Sequence, residues 1–229
     1  MAATRQHFRE ELARLEGQAL EGLDMVNSAL ERVTEALEQH DVELAGFVVA
    51  DDDRIDGRYL EVHQGLLSLM ALQAPVAGDL RVVAALIHVI KHIERMGDQC
   101  VNIAKLVPLD GFEPPEDERI LADVRRMSEL IKAMIVQARM AFAQRDTKLA
   151  EDLVRRDDEV DLLNRRIFRR ALDIGDEPDV REWAMHMTFV ARGLERIGDN
   201  AVDVGEQAAF VATGLFREFA DASHAVPRA

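Results

Sequence analysis

The chain is short of the residues that would place it in several common classes. One cysteine, Cys100, in 229 residues excludes an intrachain disulfide and the thiolate cluster of a zinc finger. Cys100 reads instead as a small buried apolar residue. Tryptophan and tyrosine occur once each, and phenylalanine nine times. Of the four serines none sits in a nucleophile setting, and neither a Gly-x-Gly-x-x-Gly turn nor a Walker A loop is present, so an enzyme is not expected. The longest apolar stretch, VVAALIHVI at 82–90, is too short to span a bilayer. The first residues, MAATRQHFREELARLEG, hold no apolar core of signal-peptide type, so a cytoplasmic protein is expected. Basic residues number 28 against 43 acidic ones, a net charge of −15. That surplus repels phosphate backbones, so nucleic acid is not an expected partner; cations and basic protein surfaces are.

Proline is scarce too, and its six positions are informative. Residues 75, 108, 114, 115, 178 and 227 fall between long periodic segments and never inside them. The first segment sets Phe8, Leu12, Leu15, Ala19, Leu23, Val26, Leu30, Val33 and Leu37 on one stripe in steps of three and four. The spacing predicts a second helix from Asp41 to Leu72 and a third from Pro75 to Val107. After PLDGFEPPED at 108–117, a linker by composition, three more follow. The fourth carries Ile120, Val124, Met127, Ile131, Met134, Ala138 and Ala141. The fifth runs from Thr147 to Asp173 and the sixth from Asp179 to Phe216. No segment alternates as a strand would. The expected fold is all-α: two similar antiparallel three-helix bundles, residues 1–110 and 111–229, from an internal duplication.

The duplication extends to an acidic phrase. HIERMGDQCVN at 92–102 and GLERIGDNAVD at 193–203 both contain Glu-Arg-x-Gly-Asp. Helical phase sets Glu94 and Asp98 on the apolar seam of the third helix, and Glu195 and Asp199 on that of the sixth. Asn102 and Asp203 continue each row at i+8. The preceding helices add Asp52 and Asp56 from ADDDRID, and Asp157 and Asp161 from RDDEVD, also in phase with their seams. Like charges at i,i+4 destabilise a helix, and partly buried carboxylates cost more unless paired or metal-bound. An oxygen-rich set with little histidine suits a hard or borderline cation, and more than one ion can share it. The candidate metal ligands are therefore Asp52, Asp56, Glu94, Asp98 and Asn102 in one half, and Asp157, Asp161, Glu195, Asp199 and Asp203 in the other. The competing reading is a solvated face in which Arg95 pairs with Asp98 and Arg196 with Asp199. Gly97 and Gly198, just before each Asp, predict close helix approach. His88 and His92 are spaced i,i+4 like a zinc half-site, but Phe189 and Gly193 replace them in the second half.

The two acidic phrases on the second and fifth helices, the two ERxGD phrases and APVAGDLRVV ahead of the first resemble the PhoU family of phosphate-signalling proteins. The likeness covers both halves and implies the same pair of three-helix bundles. It further implies a cytoplasmic negative regulator of phosphate uptake and of the phosphate-starvation response. Such a protein acts as an adaptor between the phosphate ABC transporter, through its ATPase, and a sensor histidine kinase, peripheral to the membrane through those partners. A homodimer is expected. Iron, zinc, manganese or magnesium, possible as multinuclear clusters, would sit on Asp52, Asp56, Glu94, Asp98, Asp157, Asp161, Glu195 and Asp199. Two departures set the halves apart: Arg156 stands where a carboxylate is common, and Asn102 answers to Asp203. The alternative function is a carboxylate-bridged metal-binding or storage bundle. Such bundles use Glu-x-x-His pairs, which neither ERxGD phrase supplies.

Overall fold

The computed structural model describes residues 2–72, 75, 77–109 and 117–219. These form seven helices: α1 (Ala2–Gln39), α2 (Val42–Leu72), α3 (Ala77–Ala104), α4 (Glu118–Gln144), α5 (Thr147–Glu151), α6 (Leu153–Leu172) and α7 (Pro178–Thr213), with a 3-10 turn at Val107–Leu109. No strand occurs among the described residues. Helices α1, α2 and α3 pack against one another, as do α4, α5–α6 and α7, giving the two antiparallel bundles. Of the linker at 108–117, residues 110–116 lie outside the described residues.

The fifth predicted helix is interrupted. The chain breaks at Asp152, whose N–H still bonds Lys148 O, and restarts at Leu153. The break carries Ala150 and Leu153, both fully buried, onto α7 at Gly205, where a Cβ would stand 2.6 Å from Leu153 Cδ1. No sequence rule flags this, because the bend serves a contact some fifty residues away.

The helix starts repeat with the bundles. Asp41 accepts from Leu44 N–H at 2.8 Å, and Asp146 from Lys148 N–H at 2.8 Å, each capping the helix that follows. The residue before each is left-handed: His40 at φ 52° and Arg145 at φ 56°. Asp117 caps α4 in the same way. Pro178 opens α7, and Gly214 closes it in the left-handed region, as these residue types do at helix ends.

The two bundles share one core. Buried side chains run from Phe8 and Leu15 in the first half to Met134, Trp183 and Val204 in the second as a single cluster. Two seams join the halves. Along α3 and α7 the contact is close and largely apolar. Along α1 and α4 it is a ladder of opposite charges in antiparallel register: Glu16–Arg145 at 2.7 Å, Asp24–Arg139 at 3.0 Å, Glu31–Lys132 at 3.3 Å and Glu38–Arg125 at 2.8 Å, with Thr34 and Ser128 hydroxyls 2.6 Å apart. The steps are close to seven residues on both helices, the spacing that returns a side chain to one face of a helix pair. A further pin is internal to the second bundle: Asp123 of α4, only 6% exposed, receives Arg166 and Arg170 from α6.

Candidate metal centre

The carboxylates sit one step round from the core. On α3 the buried residues from Ile93 onward are Ile93, Met96, Gly97, Cys100, Val101, Ile103 and Ala104, while Glu94 is half-buried and Asp98 exposed. Each i+4 step turns the helix face by about 40°, so the row starts at the rim and rotates outward. The sequence expectation of a buried row is thus shifted by one residue. It places these acids where they meet both the apolar core and solvent.

In the first half the rim brings Asp52, Asp56, Glu94 and Asp98 together. Burial, and then the charges of Asp56, Asp98, Asp53 and Glu94, push the Asp52 carboxyl up to about 6. Asp98 is raised by burial, by Glu94 and by Asp56, against Lys91 and Lys105. Four acids that raise one another's proton affinity are near neighbours in a partly dry place. What admits Asp52 is Gly97: a Cβ there would lie 2.8 Å from Asp52 Oδ1 and 3.2 Å from two carbons of Ile55. Lys91 Nζ reaches Glu94 Oε2 at 2.6 Å and lies over the Tyr59 ring, which balances part of the charge. Arg32 takes Asp51, the neighbour of Asp52, at 2.5 Å. Behind Asp52 a cavity of about 270 Å³ opens between α1 and α2, lined by Ser28, Ala29, Arg32, Asp51 and Cys100 among others. Cys100 is buried as expected, and burial pushes its thiol up to about 12.

The second half repeats the plan with deeper burial. Gly198 faces Asp157 Oδ1, at 3.2 Å from the position of a Cβ. Asp161 and Glu195 are each 8% exposed, whereas Asp199 is exposed like Asp98. Burial pushes Glu195 up to about 7, raised further by Asp199 and Asp161 and opposed by Arg192. One carboxylate oxygen of Glu195 meets Arg192; the other, Oε2, is buried with no hydrogen-bond partner. Arg165 lies 3.5 Å from Asp161.

Two residues of the expected sets fall elsewhere. Asp203 turns to the α3–α7 seam, where its carboxylate is 3.2 Å from His92 Nδ1; burial raises it, against His92 and Arg95. Asn102 is exposed in a groove beside Arg192 and Arg196. Both stand eight residues beyond the Glu, so two 40° drifts have carried them about 80° off its row. His92 also lies 2.8 Å from Asn200 Oδ1, and His88 is exposed, so the two histidines form no half-site. The Arg95–Asp98 pair does not arise either: the cations beside Asp98 are Lys91 and Lys105, and Arg95 acts on Asp203. Sequence reasoning missed Lys91 and Arg192. Each lies three residues before a candidate Glu, a spacing that flags an ion pair.

The eight remaining residues fit a hard cation by chemistry. All offer carboxylate oxygens, glycine notches seat Asp52 and Asp157, and the buried Glu195 Oε2 calls for a proton or a cation. As the side chains stand, no three His, Cys, Asp or Glu among the described residues converge on a point that could hold a metal ion. The ligands are therefore gathered but not closed. The exposed Asp56, Asp98 and Asp199 are the ones with room to turn inward.

Comparison with known proteins agrees with the duplicated fold. The profile of the PhoU domain matches residues 20–107 and again 124–208. The phosphate-specific transport system accessory protein PhoU homolog of Aquifex aeolicus is 35% identical over 188 residues, covering 82% of this chain and 84% of that protein. The homolog of Clostridium acetobutylicum is 33% identical over 214 residues, 92% of this chain and 96% of that one. The crystal structure of the phosphate transport system regulatory protein PhoU from Streptococcus pneumoniae superposes with a TM-score of 0.81 at 25% identity, over 92% of this chain and 99% of that one. By sequence over both halves and by fold, the chain belongs to the PhoU family.

Proposed function

We propose that the chain is a negative regulator of phosphate uptake and of the phosphate-starvation response. In this reading it is an adaptor between a phosphate ABC transporter and a sensor histidine kinase, with metal ions on the carboxylates of each half. Membership of the PhoU family supports the regulatory part, and the relatives' names tie those proteins to the phosphate-specific transport system. No described helix is long and apolar enough to cross a membrane, so contact with a transporter would come through docking. The cytoplasmic homodimer and the division at residue 110 belong to the same proposal.

The duplicated rim of carboxylates carries the metal part. Asp52, Asp56, Glu94 and Asp98 would hold ions in the first half, and Asp157, Asp161, Glu195 and Asp199 in the second. A bound cation would neutralise acids that now raise one another's proton affinity, and so tie α2 to α3 and α6 to α7. Lys91 and Arg192 hold one Glu of each set in place beside the rim. The storage-bundle reading gains nothing, since His92 is engaged with Asn200 and Asp203.

The regulatory reading is tested by deleting the gene and following a phosphate-starvation reporter in phosphate-rich medium. The reporter is expected to rise on deletion and fall on complementation with the intact chain. An unchanged reporter would sink it. Complementation with a Glu195→Ala, Asp199→Ala chain then asks whether the carboxylates take part.

A further inference from the structure

The duplication relates the two ends of the α3–α7 seam, because residues of α3 recur in α7 101 positions later, Glu94 as Glu195 and Asp98 as Asp199. One end is closed. His92 bridges it to Asn200 and Asp203, and the segment after α7 turns back over it. Phe219 donates its N–H to Glu206 at 2.6 Å and packs on the core, and Glu218 lies near Asp203.

The opposite end is open. Gly193 stands where His92 stands and lets α3 so close that a Cβ would sit 2.9 Å from Ile103 Cγ1. Beside it runs a groove of about 360 Å³, floored by Ile103 and Leu106 and walled by Phe189, Arg192 and Arg196. Phe189 is 57% exposed, and Met185, one turn earlier on the same face, is 55% exposed. The stripe Met185, Phe189, Arg192, Arg196 is apolar at one end and cationic at the other over about 16 Å of helix. Arg192 uses part of its fork on Glu195, and a guanidinium has five N–H donors to offer. Arginine and aromatic side chains side by side are the residue types that anchor protein interfaces.

We propose that this groove docks an acidic peptide segment of a protein partner, with an apolar side chain against Phe189 and Leu106 and carboxylates against Arg192 and Arg196. Two observations select that occupant. A chain of net charge −15 presents two exposed arginines here, complementary to acid. At the duplicated end the seam is already covered by a segment of this chain, with Phe219 packed on the core and Phe216 stacked on Phe210, so a peptide segment with an apolar anchor fits the open end. A short segment engages the two arginines within the groove alone, whereas nucleic acid or an anionic membrane would lie across the acidic surface around it. The assignment does not depend on the phosphate reading, and its test reads binding directly, so the two fail separately.

The experiment titrates the full chain into a short fluorescein-labelled peptide with Phe and Leu set among glutamates, followed by anisotropy. Its counterpart carries Lys in place of Glu. The Glu peptide is expected to bind and the Lys peptide not. Phe189→Ala and Arg196→Gln, checked for intact helix content by circular dichroism, are each expected to weaken binding about tenfold or more. Added salt is expected to weaken it further. Equal binding of the two peptides, no binding of the Glu peptide, or binding unmoved by both variants would overturn the proposal. So would self-association in sedimentation that Phe189→Ala abolishes, which would make the occupant a second copy. Retention on phosphatidylserine vesicles that Arg196→Gln releases would make it a membrane, and would equally overturn it.

Discussion

Gly97 and Gly198 occupy the same place in the two halves but not the same space, which makes the duplication its own control. Gly97→Ala puts a methyl 2.8 Å from Asp52 Oδ1 while Ile55 presses from two atoms at 3.2 Å. Asp52 can swing away, but Ile55 is 4% exposed and has little room. Overpacking of this kind costs about 1–3 kcal/mol. Replacing a mid-helix glycine by alanine returns roughly 1 kcal/mol. The net expectation is a loss of about 0–2 kcal/mol together with displacement of Asp52 from its neighbours. At Gly198 the nearest atom is Asp157 Oδ1 at 3.2 Å, and the next are Met134 and Ile131 carbons at 3.7 and 3.8 Å. There the helix gain prevails, and Gly198→Ala is expected to be neutral or stabilising by up to roughly 1 kcal/mol. Urea unfolding of both variants in metal-free buffer reads the difference. In heat, 1 kcal/mol corresponds to about 2–4 °C for a chain of this size. Equal effects, or a more damaging Gly198→Ala, would refute the account of how the glycines seat the carboxylates.

Other outcomes follow from charge and burial. Burial raises Glu195 from 4.5 to about 7, so its share of stability is complete below pH 4.5 and is lost as pH rises toward 7. Glu195→Gln should remove that slope in metal-free protein and gain roughly 3 kcal/mol at most above pH 7, read by urea midpoints against pH; an unaltered slope would contradict it. In the α1–α4 ladder, the Glu16–Arg145 pair is the best shielded and Glu31–Lys132 is open on the glutamate side. Glu16→Ala should therefore cost about 1 kcal/mol and Glu31→Ala close to none, and 1 M salt should shrink the difference; equal costs in urea unfolding would refute the ranking. Asp123→Ala leaves Arg166 and Arg170 without their shared carboxylate and should cost about 2–4 kcal/mol; a cost under about 1 kcal/mol would show that the pin carries little.

Much of this molecule was legible because its helices are long and its period is regular. Proline positions and stripes of three- and four-residue steps were enough for the all-α fold and the two bundles. Capping aspartates at 41, 117 and 146 mark helix starts by the same local chemistry. The ERxGD phrases brought Glu94, Asp98, Glu195 and Asp199 to notice, and the glycines within them mark the close approach that is found. Two differences have geometric causes. Asn102 and Asp203 lie eight residues beyond their Glu, by which point a straight helix has drifted about 80°, and the α3 row lies at the rim because Val82 to Ile93 is apolar nearly all round and leaves the phase open. The charge ladder and the bend at Asp152 depend on which distant helix lies opposite, which local pattern does not carry.

The account's central claim is that the rim carboxylates hold metal in each half while Asn102 and Asp203 do not. Elemental analysis of protein purified without chelator tests it most directly, on the intact chain and on Glu94→Ala/Asp98→Ala, Glu195→Ala/Asp199→Ala and Asn102→Ala/Asp203→Ala variants. Bound metal should fall by each half's share in the first two variants and stay whole in the third. Metal-free intact chain that also gains no stability from added Mn²⁺ or Mg²⁺, or loss of metal in the third variant alone, would contradict it.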